Sequence, residues 1–183
     1  MVDASTAGNG DAFHDLVRRY EARMFNFMRA STGGDVESED LAQEVFIRAF
    51  RALNRFRGDS SFRTWLYAIA ANVVRTHLAR RSRWQTVRTF WAGGEGSEDM
   101  NRVAELEAPG EDAERALVRR DAIDRALATL TPDQRLVITL RDVEGLDYRE
   151  IAAALGVPIG TVESRLFRAR QRLRPLLEPL VGK

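Results

Sequence analysis

Apolar side chains recur three or four residues apart through most of the chain's first half. Phe13, Leu16, Val17, Tyr20, Met24, Phe27 and Met28 mark one amphipathic helix. Leu41, Val45, Ala49 and Leu53, flanked by Phe46 and Phe50, mark a second. A loop around Asn54–Ser60, with Gly58, leads into a third, for which Ser60 or Ser61 is the expected N-cap. Its stripe is Phe62, Trp65, Leu66, Ile69, Val73 and His77. No strand-like alternation competes, so the expected fold class is all-α.

The second half is punctuated more explicitly. Thr131-Pro132-Asp133-Gln134 combines a cap, a proline at the first helical position and a glutamine that closes a capping box. Leu136, Val137 and Leu140 follow, and Gly145 is expected to end that helix. Asp147-Tyr148-Arg149-Glu150 is a second capping-box pattern, opening a short helix through Ile151, Ala152 and Leu155 that stops at Gly156. Val157-Pro158 then opens a helix expected to run to about Arg174, before Pro175. A short helix, a glycine turn and a longer helix make a helix-turn-helix pattern.

Charge divides the chain further. The net charge of +1 does not suggest a nucleic-acid binder, yet it sums unlike parts. Between Glu95 and Glu114 eight acids face one base, Arg102, for −7, which leaves +8 for the remainder. That stretch also holds Gly93, Gly94, Gly96, Pro109 and Gly110, the composition of a self-repelling flexible linker. The expected layout is two small helical domains, 10–90 and 115–177, joined by an acidic linker over 91–114. Of the 28 basic residues 27 are arginine, whose planar fork suits phosphates, carboxylates and base edges.

Other chemistry is removed by composition. There is no cysteine, which excludes disulfides, zinc ribbons and thiol catalysis. Only His14 and His77 are present, too few for a histidine metal cluster, so neither metal nor cofactor is expected. No apolar run approaches the ~20 residues of a membrane span, and the start lacks a signal peptide's pattern. The expectation is a cytoplasmic protein without direct membrane insertion. No nucleophilic serine or metal-binding carboxylate cluster emerges from the spacing, which argues against a nuclease or recombinase and for a non-enzymatic role.

The last helix carries the clearest functional pattern. Val162, Leu166, Ala169 and Leu173 line one face at ~100° per residue. Gly160, Ser164, Phe167, Arg168 and Gln171 fall opposite, with Arg165, Arg170, Arg172 and Arg174 along the sides and end. From Glu163 to Arg174 there are five arginines and one acid. Major-groove docking of a recognition helix requires such a face: residues near its N-terminal end reach base edges, and flanking arginines hold phosphates. The bland alternative is a solvated basic helix on a bundle, which leaves Phe167 without a use.

A second nucleic-acid face is suggested by Asn54–Tyr67, where arginines interleave with aromatics. Phe62, Trp65 and Leu66 lie on the core stripe, whereas Phe56 and Tyr67 are candidates to stack on unpaired bases. Arg75, Arg80, Arg81, Arg83 and Arg88 continue as a basic track. Asp35, Glu37, Glu39, Asp40 and Glu44 crowd the start of the second helix, an ordinary arrangement near a positive helix end. With Gln43 and Arg48 they also form a candidate surface for a basic protein partner.

In this order the segments resemble an extracytoplasmic function (ECF) sigma factor of the sigma-70 family, a specificity subunit of bacterial RNA polymerase. Asp40-Leu41-Ala42-Gln43-Glu44-Val45-Phe46-Ile47-Arg48-Ala49-Phe50 resembles the family's polymerase-binding helix. Arg55–Tyr67 resembles its −10 reading segment, and Gly145–Ala152 with Gly160–Arg170 resembles its −35 reading helix-turn-helix. The resemblance implies that Asp40, Gln43, Glu44, Phe46 and Arg48 dock on the β′ clamp helices of core polymerase, with the β flap as a further contact. It implies that Asn54, Phe56, Arg57, Ser60, Ser61, Phe62, Arg63, Trp65, Tyr67 and Asn72 serve the −10 element, the loop capturing a flipped base. Thr161, Glu163, Ser164, Phe167 and Arg168 would read the −35 element, with Arg141, Tyr148, Arg165 and Arg170 on phosphates. A carboxylate at Glu163 repels phosphates but can accept from cytosine N4. The resemblance further implies promoter DNA and an anti-sigma factor as partners. The rival reading is a stand-alone helix-turn-helix regulator that binds an operator.

Overall fold

A computed structural model describes residues 10–34, 37–92 and 111–181. Seven α-helices account for most of them: α1 (Gly10–Thr32), α2 (Ser38–Ala52), α3 (Phe62–Ala92), α4 (Glu111–Ala128), α5 (Pro132–Ile138), α6 (Tyr148–Leu155) and α7 (Ile159–Val181). A 3₁₀ turn at Leu53–Arg55 follows α2, and a π turn at Thr139–Val143 follows α5. No strand occurs among the described residues.

The expected stripes are the buried faces. Leu16, Met24, Phe27 and Met28 of α1, Leu41, Val45 and Ala49 of α2, and Leu66, Ala70, Val73 and Val74 of α3 lie inside. The bend between α1 and α2 uses Gly33 and Gly34 at φ +86° and +88°, with both N–H groups donating to the Arg29 carbonyl. Such positive φ is open to glycine without the Cβ penalty other residues meet. Gly33 is also a close approach, since a Cβ there would lie 2.6 Å from Arg135 Nη1.

Capping follows the sequence closely. Ser61, rather than Ser60, caps α3, accepting from the Thr64 N–H at 3.1 Å. Both capping boxes form: Thr131 with Gln134 opens α5, and Asp147 with Glu150 opens α6. Gly145 (φ +70°) and Gly156 (φ +64°) terminate the turns before and after α6.

Two expectations change. Residues 91–92 close α3 and 111–114 open α4, so helix extends into both ends of the expected 91–114 linker. Acids at Glu111, Asp112 and Glu114 are compatible with a helix start, where the macrodipole favours them. The rest of that linker, 93–110, lies outside the described residues. Second, α7 does not stop before Pro175 but continues to Val181. Proline there removes one N–H bond to the Gln171 carbonyl, and both residues are exposed, where water can satisfy that carbonyl.

One buried cluster runs through the molecule, from Met24, Val45 and Leu66 to Leu136, Ile151 and Leu166. The helices of the first half and of the second therefore pack against each other. Helix α3 lies against α6, and α1 touches α4, α5 and the π turn.

Candidate nucleic-acid interface

Helix α7 presents the face the periodicity foretold. Val162, Leu166, Ala169 and Leu173 are buried, while Glu163, Ser164, Phe167, Arg168 and Gln171 are exposed. Phe167 leaves 63% of its surface in solvent, unusual for a phenylalanine beside a well-formed core. With Tyr148, Leu166, Arg170, Gln171 and Arg174 it borders a shallow cleft against α6. Nothing stands within 4 Å of where a Cβ would be on Gly160, so the start of α7 is open.

The flanking cations are held in place by partners within the helix-turn-helix. Arg165 pairs with Asp133 at 2.5 Å, and Arg170 with Asp142 at 2.7 Å. The hydrogen bond from Arg170 to Asp142 keeps its guanidinium above its ordinary pKa. Arg141 donates to the Leu146 carbonyl at 2.8 Å and stacks 5.2 Å from the Tyr148 ring centre. These contacts fix α5, α6 and α7 in one geometry; Arg170 keeps a fork nitrogen beyond those engaged, whereas Arg165 Nη1 is buried without a hydrogen-bond partner. Arg168 is exposed, with no ion pair among the described residues. Ser164 donates to the Thr161 carbonyl at 3.0 Å and lies nearly one full turn from Phe167, on the same face. Thr161 itself is half-buried at the helix start.

In the first half, Phe56, Phe62 and Trp65 form an aromatic cluster with ring centres 5.1 to 6.0 Å apart, joined by Tyr20 at 5.8 Å from Phe62. The loop that carries Phe56 is outward: Asn54, Arg57, Ser60 and Ser61 are exposed, as is Asn72 on α3. Phe56 is half-buried on its neighbours and so is only partly presented for stacking. Trp65 joins this cluster half-buried, in keeping with its place on the core stripe.

Tyr67 departs from the stacking role expected of it. It is fully buried, its ring 5.1 Å from that of Phe27, and its hydroxyl donates to the Glu144 carboxylate. Burial and that carboxylate together push the hydroxyl far above its ordinary pKa. Arg63 is likewise turned to the second half, donating to the Glu144 carbonyl. In this arrangement neither can touch a base.

The α2 surface keeps Asp40 and Gln43 exposed, with Glu44 and Arg48 joined as a helix-turn pair at 2.6 Å. Phe46 is half-buried against the core. Ile47 and Phe50, 50% and 58% exposed, extend this surface, and Phe13 packs 5.0 Å from Phe50. Sequence reasoning placed Phe50 beside the core stripe; the signal for exposure was its offset from Leu41, Val45 and Ala49. A groove between α2 and α3 runs alongside, lined by Asp40, Glu44, Arg48, His77, Arg80 and Trp84. Among the described residues no group of acids and histidines is arranged to hold a metal ion, and no helix is long and apolar enough to cross a membrane.

The family models for sigma-70 region 2 and sigma-70 region 4 match residues 16–84 and 120–173. The chain is 37% identical to the RNA polymerase sigma-H factor of Pseudomonas aeruginosa, over 99% of this chain and 94% of that protein. It is 38% identical to the ECF RNA polymerase sigma-E factor of Escherichia coli K12, over 100% and 95%. Among solved structures it is similar to CnrH bound to the cytosolic domain of CnrY, with a TM-score of 0.65, 28% identity, and 97% and 95% of the two chains covered. The fold is shared with the sigma factor RpoE bound to the anti-sigma factor NepR from Bartonella quintana, at a TM-score of 0.67, 24% identity, and 94% and 99% coverage. With two family regions in order and relatives matched end to end, the chain belongs to the ECF sigma factors of the sigma-70 family.

Proposed function

We propose that this sigma factor directs core RNA polymerase to promoters through two separate readers and one docking surface, with no catalytic step of its own. The outward face of α7 reads the −35 element: Ser164, Phe167, Arg168 and Glu163 meet base edges, while Arg141, Tyr148, Thr161, Arg165 and Arg170 contact the backbone. The loop before α3 reads the −10 element, with Phe56 and the exposed Asn54, Arg57, Ser60 and Ser61 around a base withdrawn from the duplex. Phe62 and Trp65 support that loop, and Arg63, Tyr67 and Asn72 lie on the helix behind it. Asp40, Gln43, Glu44, Phe46 and Arg48, extended by Ile47 and Phe50, dock on the polymerase β′ clamp helices, and the second half meets the β flap.

The observation that carries this reading is α7 itself. A fully buried apolar stripe fixes its rotation, which leaves Phe167 and Arg168 facing solvent on a helix-turn-helix with both capping boxes formed. Melting follows from differential binding: a site for an unstacked base stabilises open over closed DNA, against an unpairing cost of a few kcal/mol. The two domains, 10–90 and 115–177, act as separate units on DNA, and the acidic segment joining them raises the effective concentration of the second contact. The protein works where the polymerase is, in the cytoplasm. The solved neighbours, captured with the cytosolic domain of CnrY and with an anti-sigma factor, support a partner of that kind here.

Run-off transcription tests the proposal. Purified protein added to core polymerase should give a promoter-specific transcript. No transcript, together with tight duplex binding by the protein alone, would favour the stand-alone regulator.

A further inference from the structure

Between Pro132 and Arg174 every acid is engaged except one. Asp133 pairs with Arg165, and Asp142 with Arg170. Asp147 and Glu150 close the capping box of α6, and the Glu144 carboxylate accepts from Tyr67. Glu163 has no hydrogen bond or ion pair among the described residues. It is nevertheless the single acid among five arginines from Glu163 to Arg174. Its side chain is exposed near the open start of α7, where with Phe167 it lines the cleft against α6.

The ordinary reasons for a carboxylate at such a place do not apply. Attraction to the positive end of a helix fades beyond the first turn, and Glu163 lies past the first turn of α7, which carries no acid. Within a helix a carboxylate pairs with side chains three or four positions away. Here these are Ile159, Gly160, Leu166 and Phe167, none of them a cation. Against DNA the charge is adverse, because phosphates border the groove. A carboxylate that serves neither the helix nor backbone docking requires a donor on the bases themselves.

Resting on the promoter-reading proposal, we infer that Glu163 determines specificity for a cytosine in the −35 element, accepting a hydrogen bond from its N4 amino group. In the major groove guanine offers N7 and O6, and thymine offers O4, all acceptors that repel a carboxylate. Adenine N6 donates, but its N7 acceptor stands beside it and opposes the second carboxylate oxygen. Cytosine N4 has only a C–H beside it, so cytosine alone meets Glu163 without a repelled neighbour. Phe167 follows one turn later, about 6 Å along the helix axis and less than two base steps of ~3.4 Å. That spacing sets its ring over a neighbouring pair, where it shields the carboxylate–amine contact from water and strengthens it. The same charge is a penalty at every site that lacks the cytosine, so Glu163 rejects wrong sequences as well as selecting the right one.

Selection from a DNA pool tests the inference. Holoenzymes carrying the parent, Glu163→Gln or Glu163→Ala each select from one duplex pool randomised across both promoter elements. The parent should return one −35 position at which cytosine is enriched about tenfold or more over each other base. With Glu163→Gln that position should turn to adenine, because an amide accepts from N6 while donating to N7. With Glu163→Ala the position should lose its preference. The selected −10 element should be the same for all three proteins, which shows that the exposed substitutions leave the holoenzyme intact. An identical −35 consensus from all three would overturn the inference and leave the promoter-reading proposal standing. A parental preference for adenine at the position that Glu163 controls would also overturn it. A parental pool without any −35 consensus would overturn both.

Discussion

Under the proposed function the two halves of this sigma factor share one task, presenting cations and aromatics to nucleic acid, and hold those groups in opposite ways. On α7 the reading face is open, and its flanking arginines are braced by acids of their own unit, Arg165 by Asp133 and Arg170 by Asp142. On α3 the corresponding donors are braced by the other unit, through Glu144, Glu150 and the Leu155 carbonyl. Bracing within the unit leaves the outward face of α7 exposed, whereas bracing by the other unit turns the α3 donors inward. The difference teaches that net charge and exposure must be assigned to a face before they say anything about binding.

The comparison can be broken most severely at its rigid side. Leu166→Ala removes a fully buried side chain that fixes the rotation of α7, and should cost about 2–5 kcal/mol in denaturant unfolding. The second half should lose more of its structure than the first. Next, Arg168→Ala should cost about 1–3 kcal/mol of discrimination among −35 variants, measured by competition between templates. Arg170→Ala should instead weaken binding to all of them and lower its salt dependence.

Asp147→Ala removes the cap of α6, which both halves use, and should destabilise the protein by about 1 kcal/mol in thermal unfolding. The smallest effect concerns pH. Glu144 faces Tyr67 and Arg63 from α3 and Arg23 from α1. Its carboxyl is raised in the folded protein by burial, so folding takes up a proton there. Stability should therefore be greatest as pH falls toward the carboxylate range, and decline as pH rises through the raised value. Denaturant unfolding of the parent and of Glu144→Gln across pH at fixed ionic strength checks the sign.

Much of this was legible in the chain, for reasons that are local. Capping boxes at Thr131–Gln134 and Asp147–Glu150 involve side chains and amides three residues apart, so the sequence that contains them suffices. The stripe Val162, Leu166, Ala169 and Leu173 fixes which side of α7 is inside, and hence that Phe167 is out. What was not legible is non-local. Tyr67 and Glu144 are 77 positions apart, and nothing near either residue foretells their hydrogen bond. Pro175 read as a stop because proline usually ends a helix, whereas on an exposed face its missing N–H is tolerated. Glu111–Glu114 read as linker because acids dominate there, although acids also favour helix starts.

The account's central claim is that α7 reads the −35 element independently of the −10 reader. Initiation by the Phe167→Ala holoenzyme, compared with the parent on templates altered at −35, at −10 or at both, tests it most directly. The expected result is a defect that is large on the parental template, persists when −10 is altered, and vanishes when −35 is already altered. A defect of equal size on every template would contradict the claim.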